Sequence, residues 1–196
     1  MARIILVAVP GAGKSTILKF LTERRRDVQV VNYGDVMLEI AKARFGIANR
    51  DEMRKKIPLE QYREVQREAA EKIAQMQGHV VVDTHASIKI AGGYYPGLPH
   101  RIITLMKPHA IVLIEADPQV VLRRRAGDAT RPTRDVETPE DVERHQEANR
   151  HYAYAACEAA ECIVYIIDLR KVPETRPFEH AEYAAAKLSE LIDALG

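Results

Sequence analysis

Cysteine is scarce: Cys157 and Cys162 are the only two in 196 residues. Two thiols are too few for a disulfide framework, and their spacing is wrong for a CxxC redox or zinc-knuckle site, so they read as buried, inert thiols. No apolar run approaches the roughly 20 residues that a bilayer span needs. The apolar opening from Ile4 to Val9 is too short for a signal-peptide core and leads directly into a motif, so a cytoplasmic protein with no membrane partner is expected. Neither sign of charge is in excess. With 29 Lys plus Arg against 28 Asp plus Glu, the net charge of +1 gives no electrostatic footprint for a nucleic-acid partner. Asparagine occurs only at positions 32, 49 and 149 in a charge-rich chain, a balance that hints at thermal adaptation. The guanine-reading Asn-Lys-x-Asp motif is absent, and Asp-x-x-Gly occurs only as the chain's last four residues, Asp193 to Gly196, not after a strand as a switch would need, which counts against a regulatory GTPase. The chain is also too short for the accessory domains of most motor ATPases, and it has no internal repeat or low-complexity segment.

What is present is the profile of a single globular domain over residues 1–196, with 46% hydrophobic and 29% charged residues. Arg3 to Val9 is an apolar, β-branched run that stops at Pro10-Gly11, as a strand buried on both faces would. Four more short apolar runs follow, at Val28 to Asn32, His79 to Asp83, Ala110 to Glu115 and Cys162 to Asp168. Helix-like sequence separates them: 15–26, 35–45, 51–56, 59–77, 99–106, 118–126, 139–160 and 178–195. That alternation means α/β. Asp117-Pro118 and Thr138-Pro139 pair a capping side chain with proline at the first helical position, and Glu140-Asp141 suits a helix's positive end. Thr84 to Leu98 is long for a connection and follows a strand's carboxyl end, where α/β proteins bind ligands. Gly127 to Thr138, between two helices, has the make-up of a small lid.

The strongest signal is the stretch Ala8, Val9, Pro10, Gly11, Ala12, Gly13, Lys14, Ser15, Thr16, placed after a strand and before a helix as a P-loop requires. Gly11 and Gly13 let the backbone turn its N–H groups toward phosphates, and the following helix adds its dipole. Lys14 is expected to reach the β- and γ-phosphates of ATP, and the Ser15 hydroxyl to ligate Mg2+. Ala8 stands where the pattern has its first glycine, a variation small enough to keep the turn. Val80-Val81-Val82-Asp83 is an apolar strand ending in an acid, which fits a carboxylate holding magnesium through water.

Arginines crowd positions 123, 124, 125, 131, 134, 144 and 150 around the expected lid. Phosphoryl transfer is mostly positioning and charge clamping, for which guanidinium is suited. Arg131, Arg134 and Arg150 are the catalytic candidates, and Arg144 reads as structural. Three consecutive arginines on a helix point in three directions, so one of 123–125 facing the site and two solvated or paired is the expected division.

The order of several short runs then becomes informative. With the P-loop come "VNYGDVM" at 31–37, "RDEMRK" at 50–55, "VDTHA" at 82–86, "GYYPGLP" at 93–99 and "GDATRPTRD" at 127–135. In this order the chain resembles an archaeal-type adenylate kinase over most of its length to about Arg150. The resemblance implies reversible transfer from MgATP to AMP giving two ADP, a three-layer P-loop kinase fold with a five-stranded parallel sheet, a short lid without a zinc ribbon, and a homotrimer. It makes 34–77 the AMP-binding helical region and 127–138 the lid, with Arg131 and Arg134 on the phosphates. It places AMP around Tyr33, Gly34, Arg54, Thr84, His85, Gly97 and Leu98. Bacterial adenylate kinases carry acceptor-phosphate arginines where this chain has Met37-Leu38 and Thr84-His85-Ala86, so Arg54, His85 and Lys89 are the candidates to replace them, Arg54 first. Tyr33 suits either a base pocket or the core. Two other readings share the cradle: a P-loop kinase for another small acceptor, and a nucleotide-dependent ATPase or assembly factor.

Overall fold

The computed structural model describes residues 1–127 and 137–196, without the side chains of Asp51 and Arg54. Its sheet is built from β1 (Arg3–Ala8), β2 (Val28–Asn32), β3 (His79–Thr84), β6 (Ala110–Glu115) and β7 (Ile163–Asp168), in the order β2-β3-β1-β6-β7 with every pairing parallel. The helices are α1 (Lys14–Arg24), α2 (Tyr33–Phe45), α3 (Arg50–Lys56), α4 (Leu59–Ala74), α5 (His100–Met106), α6 (Pro118–Ala126), α7 (Pro139–Ala160) and α8 (Glu179–Leu195).

Alternation along the central strand sorts the core into two layers. Ile4, Leu6 and Ala8 of β1 face a cluster with Ile17, Leu18 and Leu21 of α1 and Leu188 and Ile192 of α8. Ile5 and Val7 face the other way, onto a cluster that draws on α2, α4, α5 and α7. The result is the expected helix–sheet–helix sandwich. β1 and β6 are buried on both faces almost throughout, which is why they read as continuous apolar runs rather than alternating ones. Leu6 has no exposed surface, so its truncation to alanine costs about 2–5 kcal/mol.

The helix starts follow from local chemistry. Asp117 accepts from the Gln119 and Val120 N–H groups at 2.8 and 3.2 Å ahead of Pro118. Thr138 and Asp141 form a reciprocal capping box. Helix α2 begins two residues earlier than its sequence suggests, because the Asn32 side chain caps it by accepting from Asp35 N–H.

The stretch 84–98 is not a plain loop. Ser87–Ile90 (β4) and Gly93–Pro96 (β5) form an antiparallel hairpin, turned at Ala91-Gly92 with Gly92 at φ 79°. Gly97 closes its base, donating to the Ala86 carbonyl at 2.8 Å, and a Cβ there would overlap the His85 carbonyl oxygen. Among the described residues no helix is long and apolar enough to cross a membrane.

Candidate functional site

The carboxyl ends of β1 and β3 carry the site. Past Ala8 the chain turns through Gly11 at φ 88° and Gly13 at φ 92°, a region that glycine alone enters without strain. A Cβ on Gly11 would also sit 2.8 Å from the Arg125 Cγ. Ala8 is still strand, paired with Ile114 of β6, so nothing in its conformation calls for glycine. Helix α1 starts without a side-chain cap and without an acid in its first turn. Its first N–H groups therefore stay available to an anion, which the positive helix end favours.

Parallel register sets Asp83 beside Leu6 and Thr84 beside Val7, directly next to the cradle. There the Lys14 ammonium lies 2.6 Å from the Asp83 carboxylate and donates to the Thr84 carbonyl. Asn32 donates to the other Asp83 oxygen at 2.8 Å. Burial pulls the Lys14 pKa below the ordinary lysine value, with Asp83 opposing that shift.

Two cavities open at this edge. The larger, about 740 Å³, is lined by the whole cradle from Ala8 to Ile17, so Lys14, Ser15 and Thr16 all face it, and its far wall is Leu169, Pro177, Phe178 and Ala181. The smaller, about 240 Å³, is lined by Tyr33, Gly34, Met37, Met53, Tyr62, Gln66, Thr84, Ile88 and Gly97. Asn32, Arg50, Asp83 and His85 line both. The two spaces therefore abut across a polar seam of one carboxylate, one guanidinium, one amide and one imidazole.

The expected acceptor residues largely converge. Tyr33 is both a core residue and a cavity wall. It is buried in the core layer, its hydroxyl donates to the Gln66 carbonyl at 2.9 Å, and its ring walls the smaller cavity. Burial raises its pKa, so the phenol stays protonated. The ring of His85 is open to the cavity but surrounded by protein elsewhere; desolvation, then the Lys14 charge, pushes its pKa down to about 4. Leu98 belongs to the core rather than the cavity wall. The Arg54 side chain lies outside the described residues, as do Arg131 and Arg134. Lys89 is ion-paired with Glu137 at 2.7 Å and lines neither cavity.

Arg150 lines neither cavity. It forks onto Glu115, whose carboxylate is 3% exposed and also receives Arg170 at 2.7 Å. A carboxylate buried that deeply needs charged partners, and Arg150 supplies one. The arginine triplet splits as a helix requires. Arg123 is exposed, Arg124 lines the larger cavity and donates to the Ala12 carbonyl at 3.3 Å, and Arg125 donates to the Pro10 carbonyl at 2.7 Å and to Glu137. Arg144 is exposed and pairs with Asp141 on its own helix.

Sequence reasoning missed Asn32, Arg50 and Phe178. Arg50 reaches back to the Asn32 and Asp35 oxygens, each at 2.6 Å, and a Cβ on Gly34 would stand 3.0 Å from its guanidinium carbon. Its position in the "RDEMRK" run, four residues before Arg54, was the available signal. Phe178 sits at the start of α8 with φ 68°, rare for an aromatic residue, and leaves 58% of its surface exposed at the cavity mouth. Nothing in the sequence marks it.

Among the described residues no group of three or more His, Cys, Asp or Glu could hold a metal by itself.

A family model described as an AAA domain matches residues 7–143. The chain is 60% identical over 190 residues to an adenylate kinase of Pyrobaculum aerophilum, covering 97% of this chain and 96% of that one. It is 41% identical over 191 residues to an adenylate kinase of Pyrococcus horikoshii, covering 96% and 95%. Among solved structures it resembles the shikimate kinase of Bacteroides thetaiotaomicron, with a TM-score of 0.58 at 18% identity, covering 98% of each chain. That last likeness concerns the fold alone.

Proposed function

The chain belongs to the adenylate kinase family, phosphotransferases that act on nucleoside monophosphates, and from that premise we propose that its two abutting cavities divide the substrates. ATP lies over the cradle in the larger cavity and AMP occupies the smaller one, for the reaction ATP + AMP = 2 ADP. The observation that carries this division is the shared seam of Asn32, Arg50, Asp83 and His85, across which the two phosphate ends would meet.

In this reading the cradle N–H groups and the α1 terminus hold the β- and γ-phosphates. Lys14 swings from Asp83 and Thr84 onto the transferring group, and Arg124 approaches it along the Ala12 side. The AMP phosphate oxygen is itself the nucleophile, so no covalent enzyme intermediate is needed; Arg50 is placed to orient that phosphate and Arg54 remains its proposed partner. The adenine of ATP has an apolar seat in Leu169, Pro177, Phe178 and Ala181.

Residues 127–138 are proposed as the lid, with Arg131 and Arg134 as clamps on closure, and residues 34–77 as the AMP-binding region. The cradle fits magnesium by its chemistry: an exposed Ser15 hydroxyl and the Asp83 carboxylate offer hard oxygen donors beside the phosphate seat. Ser15 would hold the ion directly and Asp83 through water, and the ion would supply charge neutralisation at the β- and γ-oxygens. A cytoplasmic homotrimer completes the proposal on the strength of the family resemblance.

Steady-state KM values for ATP and AMP in two variants test the division of sites. Arg124→Ala is expected to raise KM for ATP by roughly tenfold or more with that for AMP little changed, and Arg50→Ala, in the seam, to raise KM for AMP by roughly tenfold or more and that for ATP by less. Both variants raising KM most for the same substrate would contradict it.

A further inference from the structure

Cys157 and Cys162 read from the sequence as two inert thiols, and neither lines a nucleotide cavity. The fold gives them a relation that the spacing hides. Helix α7 ends at Ala160, Glu161 takes a left-handed conformation (φ 52°, ψ 46°), and the chain doubles back so that Cys162 N–H donates to the Cys157 carbonyl at 3.1 Å. This is a Schellman-type helix ending, and it clamps the two cysteine backbones together. Their sulfurs stand 3.1 Å apart. Reaching the bonded distance of about 2.05 Å takes a shift of about 1 Å, within what rotation about χ1 supplies.

We propose that Cys157 and Cys162 are an intrachain redox pair that closes to a disulfide and fastens the C-terminal end of α7 to the start of β7. The two sulfurs differ in access: Cys157 is buried and Cys162 is half-buried. The Cys157 S–H also supports the Cys162 thiolate, which draws the Cys162 pKa down and pushes that of Cys157 up. Cys162 is accordingly the point of entry. Its thiolate attacks a low-molecular-weight disulfide, displacing one thiolate and forming a mixed disulfide. Cys157 then loses its proton to solvent, attacks the Cys162 sulfur and expels the second thiolate. Two protein thiols are oxidised and one external disulfide is reduced to two thiols.

The bond would act on stability and leave turnover alone. Among the described residues strand β7 is an edge of the sheet, paired only with β6, and the cysteines sit at its amino end, whereas the cradle lies beyond the carboxyl ends of β1 and β3. Fastening an edge strand to the helix before it restrains the unfolded chain and resists local opening.

The test treats the purified full-length protein with oxidised glutathione, then counts thiols after denaturation and measures intact mass, Tm and kcat. The expected result is no titratable thiol, a mass lower by two hydrogen atoms and a non-reducing peptide map joining Cys157 to Cys162. Tm should rise by roughly 5 °C, reversibly with dithiothreitol, with kcat unchanged. Cys162→Ser, which keeps the half-buried site polar and small, should show the same kcat and no redox-dependent Tm. A persistent glutathione adduct, cross-linked dimers, two thiols still titratable, or a redox-dependent Tm surviving in Cys162→Ser would each overturn the proposal.

Discussion

The Lys14 ammonium and the Asp83 carboxylate sit 2.6 Å apart at the junction of the two cavities, one from the cradle and one from the end of β3. Each thereby holds the other in place: Asp83 offsets part of the burial that lowers the lysine's pKa, and Lys14 fixes the carboxylate at the end of β3. Lys14→Ala should lower kcat by about 10³-fold or more, because the transferring charge loses its nearest cation. Asp83→Asn keeps the shape and the Asn32 contact but should raise the magnesium concentration needed for half-maximal rate. Initial rates across a magnesium titration separate the two effects, and near-normal activity in Lys14→Ala would refute the role given to it.

Glycine at position 11 and alanine at position 8 predict opposite outcomes. Gly11→Ala forces a Cβ into positive φ and onto the Arg125 side chain, so it should weaken ATP binding and cost about 1 kcal/mol or more in stability. Ala8→Gly restores the usual P-loop pattern but only loosens a strand residue, costing about 0.5–1 kcal/mol with no gain in rate. Equilibrium unfolding and ATP binding by calorimetry, measured on both variants, check the pair.

His85 makes stability depend on pH in a definite direction. Its pKa falls from 6.5 in the unfolded chain to about 4 in the fold. Between those values the unfolded chain binds the extra proton and the folded protein does not, so stability declines as pH drops from about 6.5 toward about 4. His85→Gln should flatten that part of the stability–pH curve. An unchanged curve would mean that the imidazole is not held neutral by its surroundings.

Arg150 and Arg170 both lean on the buried Glu115 carboxylate. Glu115→Ala removes the buried acceptor that both share, leaving them Glu143 and, for Arg170, Asp168, and should cost about 1.5–3 kcal/mol, read by denaturant unfolding. Arg150→Ala should likewise lower Tm, with KM for ATP and AMP little changed. A large fall in kcat at unchanged Tm would instead restore Arg150 to the phosphates.

What the sequence discloses is what local chemistry decides. The run from Arg3 to Ala8 could only be a strand buried on both faces, the glycines at 11 and 13 could only mark a turn of positive φ, and Thr138-Pro139 could only start a helix. The β4–β5 hairpin was legible in principle from Gly92-Gly93 between apolar runs, but its proximity to a strand end favoured a loop reading. Of the seam residues, Asp83 and His85 were expected at the site, but Asn32 and Arg50, and the meeting of all four, were not legible. Asn32, Arg50, Asp83 and His85 come from three different connections and meet only because β2 and β3 are neighbours and α3 folds back over them. The cysteine pair was hidden for a similar reason, since Glu161 rather than glycine occupies the left-handed C-cap that turns the chain back.

The most direct test is the initial rate of nucleoside diphosphate formation from MgATP with AMP, CMP, UMP, GMP or no acceptor, in the unmodified chain and in Arg50→Ala. Rapid, AMP-selective formation of ADP, with the AMP requirement raised roughly tenfold in the variant, is the expected result. Slow hydrolysis unaffected by any monophosphate, or an AMP dependence identical in the two proteins, would contradict the assignment of the smaller cavity to the acceptor.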